Sequence, residues 1–134
     1  MYPIIMSQGK FGHKDSLKFP YEERGLQFGD GVYEVIRIYE GRPYLLEEHI
    51  ARLFRSLHAI HIQIEQTEEE IIKLLQNLIK RNSMNEDGYI YLQVTRGSAP
   101  RNHLFPENTE PNLYAYLESR ARNVDGFEQG VKTI

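Results

Sequence analysis

The spacing of apolar residues changes along the chain from two to three or four and back again, and few chains can satisfy that order without layering helices on a sheet. Val32 to Tyr39 alternates β-branched and aromatic residues. Glu40-Gly41 then reads as a two-residue turn, and Arg42-Pro43-Tyr44-Leu45 runs back, which predicts a hairpin. From Leu46 the stripe Leu46, Ile50, Leu53, Leu57 and Ile60 has helical spacing. A second helix opens at Thr67-Glu68-Glu69-Glu70, where Thr67 and Glu70 suit a capping box, and closes near Lys80-Arg81-Asn82. Its buried face is expected from Ile71, Ile72, Leu75, Leu78 and Ile79. After a loop at Asn85 to Gly88, Tyr89 to Thr95 and Leu113 to Leu117 return to strand alternation, tyrosines on one face and aliphatics on the other. The aliphatic faces should meet the helices. The expected fold is α+β: a two-layer α/β sandwich, a mainly antiparallel sheet with two main helices on one face.

A chain of 134 residues fits one such domain, with roughly two thirds of its unfolded surface buried. Sixteen Lys and Arg against nineteen Asp and Glu give a net charge of −3, which argues against nucleic-acid binding, a task that calls for a basic excess. The absence of cysteine excludes disulfides, thiolate zinc sites and cysteine nucleophiles. The apolar start Met1 to Met6 breaks at Ser7-Gln8-Gly9-Lys10, too short for a signal peptide, and no apolar run has membrane-spanning length. A cytoplasmic protein without membrane partners is expected.

Three regions carry residues suited to chemistry. Phe28-Gly29-Asp30-Gly31-Val32-Tyr33-Glu34 sets two glycines before a strand, either as a plain turn or for close approach of backbone to a ligand. Arg52 follows Glu48 by four residues; it either forms an exposed helical ion pair or offers its planar fork to a phosphate. The long segment Arg96 to Pro111 concentrates Arg96, Arg101 and His103, a combination that can trap a carboxylate. Alternatively, Arg96 bonds carbonyls of its own loop and His103 is simply exposed. His49, His58 and His61 lack the spacing of a metal site, so no metal is assigned. The adjacent glutamates diverge on helices, and no serine sits in a nucleophile elbow.

Three of these segments together resemble one family: Arg24 to Glu34, Glu48-His49-Ile50-Ala51-Arg52-Leu53, and Gln93 to His103. They look like the N-terminal domain of a class IV, fold-type IV pyridoxal-phosphate aminotransferase, and the spacing of Arg101 and His103 is similar to the D-amino acid branch. The resemblance extends over practically the whole chain. It implies that Arg52 binds the phosphate of pyridoxal 5'-phosphate, that Tyr33, Arg101 and His103 surround the substrate carboxylate, and that Val35 lines the pocket. It implies a homodimer in which the Arg101 loop reaches the neighbouring site, with Arg96 and Gly97 shaping that loop. The implied reaction moves an amino group between D-amino acids such as D-alanine and 2-oxo acids. The alternatives are a branched-chain aminotransferase or aminodeoxychorismate lyase relative, or a noncatalytic dimerisation or ligand-binding domain. None of Lys10, Lys14, Lys18, Lys73, Lys80 and Lys132 stands in the family's lysine motif. No catalytic residue is therefore expected in this chain: the Schiff-base lysine is expected beyond Ile134, residues 1–134 being a single N-terminal domain cut within a half-strand at Gly130 to Ile134, and inactive alone.

Overall fold

The structure, a computed structural model, describes residues 1–130 and Lys132. The half-strand expected at Gly130 to Ile134 lies largely outside the described residues. Six strands form one sheet in the order β2-β1-β6-β5-β3-β4. They are β1 (Ile4–Ser7), β2 (Lys10–His13), β3 (Gly31–Tyr39), β4 (Arg42–Pro43), β5 (Gly88–Thr95) and β6 (Asn112–Ser119). Every pairing between these strands is antiparallel. The two long helices, α2 (Leu46–Ala59) and α3 (Glu68–Arg81), follow a short helix α1 (Arg24–Phe28) and precede α4 (Val124–Gln129).

The expected hairpin is present, though its return strand is only Arg42–Pro43. Ile38 faces Pro43 and Tyr39 faces Arg42 across a turn in which Glu40 and Gly41 both take positive φ, the twist that a two-residue antiparallel connection favours. Thr67 and Glu70 make the reciprocal capping box at the start of α3, with Thr67 Oγ1 accepting from the Glu70 N–H at 3.2 Å and Glu70 Oε2 from the Thr67 N–H at 2.8 Å.

The core lies between the helices and one sheet face. Leu46, Ile50, Leu53 and Leu57 of α2 and Ile71, Leu75, Leu78 and Ile79 of α3 are buried against Ile36 and Ile38 of β3, Ile90, Leu92 and Val94 of β5, and Leu113, Ala115 and Leu117 of β6. Ile60 and Ile72 are only partly buried at the margin of this layer. Each fully buried Leu or Ile contributes about 1.5 to 3 kcal/mol, so the layer accounts for why the two periods hold together. Because side chains alternate, the same strands turn Tyr33, Val35, Tyr91, Gln93, Tyr114 and Tyr116 to the opposite, open face.

Several elements were not expected from the sequence, the short helix α4 (Val124–Gln129) among them. Ile4–Ser7 and Lys10–His13 form an N-terminal hairpin around Gln8-Gly9, and Met6 of that hairpin is fully buried in the core. The segment before Gly29 is helical, not a plain turn, over Arg24–Phe28.

Candidate functional site

The chain enters β3 from α1 and leaves β5 into the segment 96–111, and both ends meet at Gly31, which pairs with Thr95. The junction is built on Asp30. Its Oδ2 accepts from Arg24 Nε at 2.7 Å and from Arg96 Nε at 2.8 Å, and all three side chains are buried. Burial pushes the Asp30 carboxyl up, but the hydrogen bonds from Arg96 and Arg24 outweigh it and hold the group below the usual aspartate range. Arg96 spends its other nitrogens on the carbonyls of Ile60 and His61, at 2.8 and 3.2 Å. It therefore fastens β5 to the end of α2 and does not bond carbonyls of its own loop, as the sequence alternative had it.

Arg24 reaches the loop instead. Its Nη1 donates to the carbonyl of Asn102 at 2.9 Å, and its backbone N–H donates to the carbonyl of Gly97 at 2.9 Å. Gly97 holds φ of +101°, and a Cβ there would collide with the carbonyl oxygen of Glu110, so the loop closes only with glycine at this point. Phe105 lies beneath the Arg96 guanidinium, 4.0 Å from ring centroid to carbon. Arg96 and Gly97 thus shape the loop.

Within that loop Arg101 and His103 come together on one ring. The Arg101 guanidinium sits 5.3 Å from the centroid of Phe28, and His103 meets the same ring edge-on at 5.6 Å. Both side chains belong to exposed residues, and Arg101 has no ion pair among the described residues.

Tyr33 is placed separately. It stands on the open face of β3, 63% exposed, its ring stacked on Tyr91 at 5.8 Å. Tyr91 stacks in turn on Tyr116 at 5.1 Å, and the Tyr91 and Tyr114 hydroxyls both donate to Gln93 Oε1, at 2.7 and 2.5 Å. Burial raises both phenols, Tyr114 to about 12, so they act as neutral donors. This row fixes the plane of the Tyr33 ring while leaving its hydroxyl without a hydrogen bond among the described residues. Val35 lies next along the same face, 44% exposed.

Arg52 lies on the other side of β3. The expected alternative of an ion pair with Glu48 is replaced by a stronger one: Arg52 Nε and Nη2 donate to the two oxygens of Glu34, at 2.6 and 2.5 Å. His49 Nδ1 donates to Glu34 Oε2 at 2.7 Å. Glu34 is 3% exposed on the helix-facing side of the strand. Burial alone would raise its carboxyl, yet the bonds from Arg52 and His49 keep it below the usual range and therefore ionised. A guanidinium held side-on through Nε and Nη2 keeps its end-on edge, Nη1 with the outer Nη2 proton, available to a second anion. The Arg52 side chain is 58% exposed, so that edge is reachable from solvent.

The four candidate residues therefore fall into three places along the first half of β3 and its approach: Arg101 with His103 on Phe28, Tyr33 on the open face, and Arg52 on Glu34. No side-chain hydrogen bond, ion pair or ring contact among the described residues joins one place to another. Sequence reasoning gave no separate role to Glu34, Asp30, Arg24 or Phe28. Glu34 had a usable signal, since it shares the face of Ile36 and Ile38 and must point a carboxylate into the helix layer. Among the described residues, no group of three or more metal-ligating side chains is close enough to hold an ion, and no helix is long and apolar enough to cross a membrane.

Comparison with known proteins adds three findings. Residues 31–132 match the family model described as amino-transferase class IV. The chain is 41% identical over 131 residues to a D-alanine aminotransferase of Staphylococcus epidermidis and 44% identical over 130 residues to one of Bacillus licheniformis. In each case the match covers 97% of this chain and 46% of the relative, so the chain spans about half the length of these curated relatives. Among solved structures, the branched-chain amino acid aminotransferase of Escherichia coli superposes with a TM-score of 0.84 at 19% identity, over 92% of this chain and 42% of that one. The branched-chain aminotransferase of the thermophilic archaeon Thermoproteus uzoniensis, solved with norvaline, gives 0.81 at 23% identity, over 91% of this chain and 42% of that one. These two structural matches concern the fold.

Proposed function

Since the chain belongs to the class IV aminotransferase family, we propose that it is the N-terminal part of a transaminase that moves an amino group between a D-amino acid such as D-alanine and a 2-oxo acid. The observation that carries this reading is the presence of two separate anion-directed groups on one short stretch of fold. The free edge of Arg52 suits a phosphate, and the Arg101 and His103 pair suits a carboxylate. The substrates carry a carboxylate; pyridoxal 5'-phosphate, the cofactor, carries a phosphate.

The residues present fit that cofactor. Glu34 holds Arg52 in one orientation while leaving donors unspent, and His49 keeps Glu34 from turning away. When bound, the cofactor supplies the electron sink for bonds broken at the substrate Cα. This chain binds and orients. Arg52 retains the phosphate; Arg101 meets the two carboxylate oxygens with parallel N–H donors; His103 and the Tyr33 hydroxyl add donors from other directions. The resemblance to this family implies a homodimer in which the loop bearing Arg101 and His103 serves the site of a second copy, an arrangement that accords with the separation of those two residues from Tyr33 within one chain. The lysine that anchors the cofactor is assigned to the remainder of the protein.

The full-length protein supplied with pyridoxal 5'-phosphate should form pyruvate from D-alanine and a 2-oxo acid. Turnover of L-branched-chain amino acids alone, or carbon–carbon cleavage of a chorismate-derived substrate, would replace this reading. The role of Arg52 has its own measurement. In the full-length protein Arg52→Ala should weaken cofactor retention roughly tenfold or more, and it should also lower the thermal midpoint of the cofactor-free form, because the buried Glu34 carboxylate is left with His49 alone. Equal retention by both proteins after dialysis would return Arg52 to a structural partner of Glu34.

A further inference from the structure

We infer that α1 is the positioning element of the carboxylate-binding loop, with Phe28 as the residue that aims Arg101 and His103; this rests on the reading that those two groups bind the substrate carboxylate. Arg24 and Phe28 are four residues apart on one helix, so they share a face. That face is turned to the loop. Arg24 is 2% exposed and committed at both ends of its guanidinium, to Asp30 and to the carbonyl of Asn102, the residue between Arg101 and His103.

Phe28 completes the arrangement. Its ring centroid lies 4.7 Å from the Arg24 guanidinium, 5.3 Å from that of Arg101 and 5.6 Å from the His103 ring. The aromatic face is electron-rich, so it attracts guanidinium groups without spending any of their N–H donors. A carboxylate partner would hold Arg101 more firmly but would occupy the fork that has to meet the substrate. The ring orients the side chain and leaves its hydrogen-bonding edge unspent. Asn102 finishes the turn, its Oδ1 accepting from the Leu104 N–H at 3.1 Å, so backbone and side chains over 101–104 are set from within one subunit. In a dimer, α1 of each subunit would thus define the carboxylate geometry of its partner's site.

The test uses Phe28→Leu, which keeps apolar bulk and removes the aromatic face, and Phe28→Tyr, which restores it. In the full-length protein Phe28→Leu should raise KM for both the D-amino acid and the 2-oxo acid about five- to tenfold. Its kcat should change less than twofold and its cofactor retention should match the parent. Phe28→Tyr should return both KM values to within about twofold of the parent. An independent readout is the ring-current shift of the His103 imidazole protons by NMR, assigned through His103→Gln. The shift should disappear in Phe28→Leu and return in Phe28→Tyr.

Unchanged KM values in Phe28→Leu, while Arg101→Ala raises them, would overturn the inference alone. So would a His103 signal indifferent to residue 28, or a KM increase that Phe28→Tyr does not reverse. If Arg101→Ala itself leaves KM unchanged, the carboxylate reading fails and the inference with it.

Discussion

Asp30→Ala should destabilise the 134-residue chain by about 3 kcal/mol or more, because it leaves two buried guanidinium groups without their shared counter-charge. Arg24 and Arg96 have side chains only 3% and 8% exposed, and their remaining carbonyl partners satisfy hydrogen bonds without neutralising charge. A loss of that size is a large part of the roughly 5 to 15 kcal/mol that separates a folded domain from its unfolded ensemble. Asp30→Asn keeps an acceptor oxygen but no charge, so it should recover only about 1 kcal/mol of that loss. Urea denaturation reads both as a shift in midpoint. A shift worth less than about 1 kcal/mol for Asp30→Ala would show that water replaces the carboxylate at the junction. Acid provides a second check on the same group. The folded-state pKa of Asp30 lies below its ordinary value, so its stabilisation is present above about 3.9 and is lost as pH falls from there through the depressed value. Asp30→Asn should therefore show a flatter loss of stability across that acid window than the parent, the remaining slope coming from groups such as Glu34, whose shift has the same sign.

Arg101→Ala in the full-length protein should lower kcat/KM roughly thirtyfold for both the D-amino acid and the 2-oxo acid, through KM, since both substrates carry the carboxylate it is proposed to meet. The structure makes this a clean substitution. Arg101 is exposed and has no ion pair among the described residues, its neighbour Asn102 is held through the backbone by Arg24, and removing the Arg101 side chain leaves that bond in place. Folding should be unaffected within about 0.5 kcal/mol. An unchanged KM for both substrates would reduce the loop to a structural element. Subunit mixing decides whose site the loop serves. Combining Arg101→Ala subunits with subunits lacking the cofactor-anchoring lysine should restore activity if the loop acts on the partner's site, because both defects then fall in one site and the other is whole. If Arg101 serves its own subunit, each site keeps one defect and no activity returns.

Much of this architecture is local in origin and was legible in the residues. The period-two runs at 32–39, 89–95 and 113–117, the helical stripes from Leu46 and Ile71, and the Thr67 and Glu70 box each depend on neighbours within a few positions. The antiparallel sheet with both long helices on one face follows from them, as does the segregation of tyrosines to the open face. The N-terminal hairpin escaped notice because Ile4 to His13 is short and shows weak alternation, and the burial of Met6 that holds it comes from contact with the rest of the core.

The site divides along the same line. The residue types and the spacing of Arg52, Arg101 and His103 are sequence properties, and they suffice to suggest anion binding and a family. What each residue leans on is not. Arg52 stood four positions from Glu48 and so suggested a helical pair, but its fork closes on Glu34, eighteen residues away on a strand, because the helix lies across that strand. Asp30 joins Arg24, six positions before it, to Arg96, sixty-six after it, and Phe28 collects two side chains from a loop more than seventy residues downstream. No local rule places charges and rings at those separations. Only the close packing of α1, the start of β3 and the end of β5 brings them within hydrogen-bond and van der Waals reach, and burial there makes an unpaired charge too costly to leave unmatched.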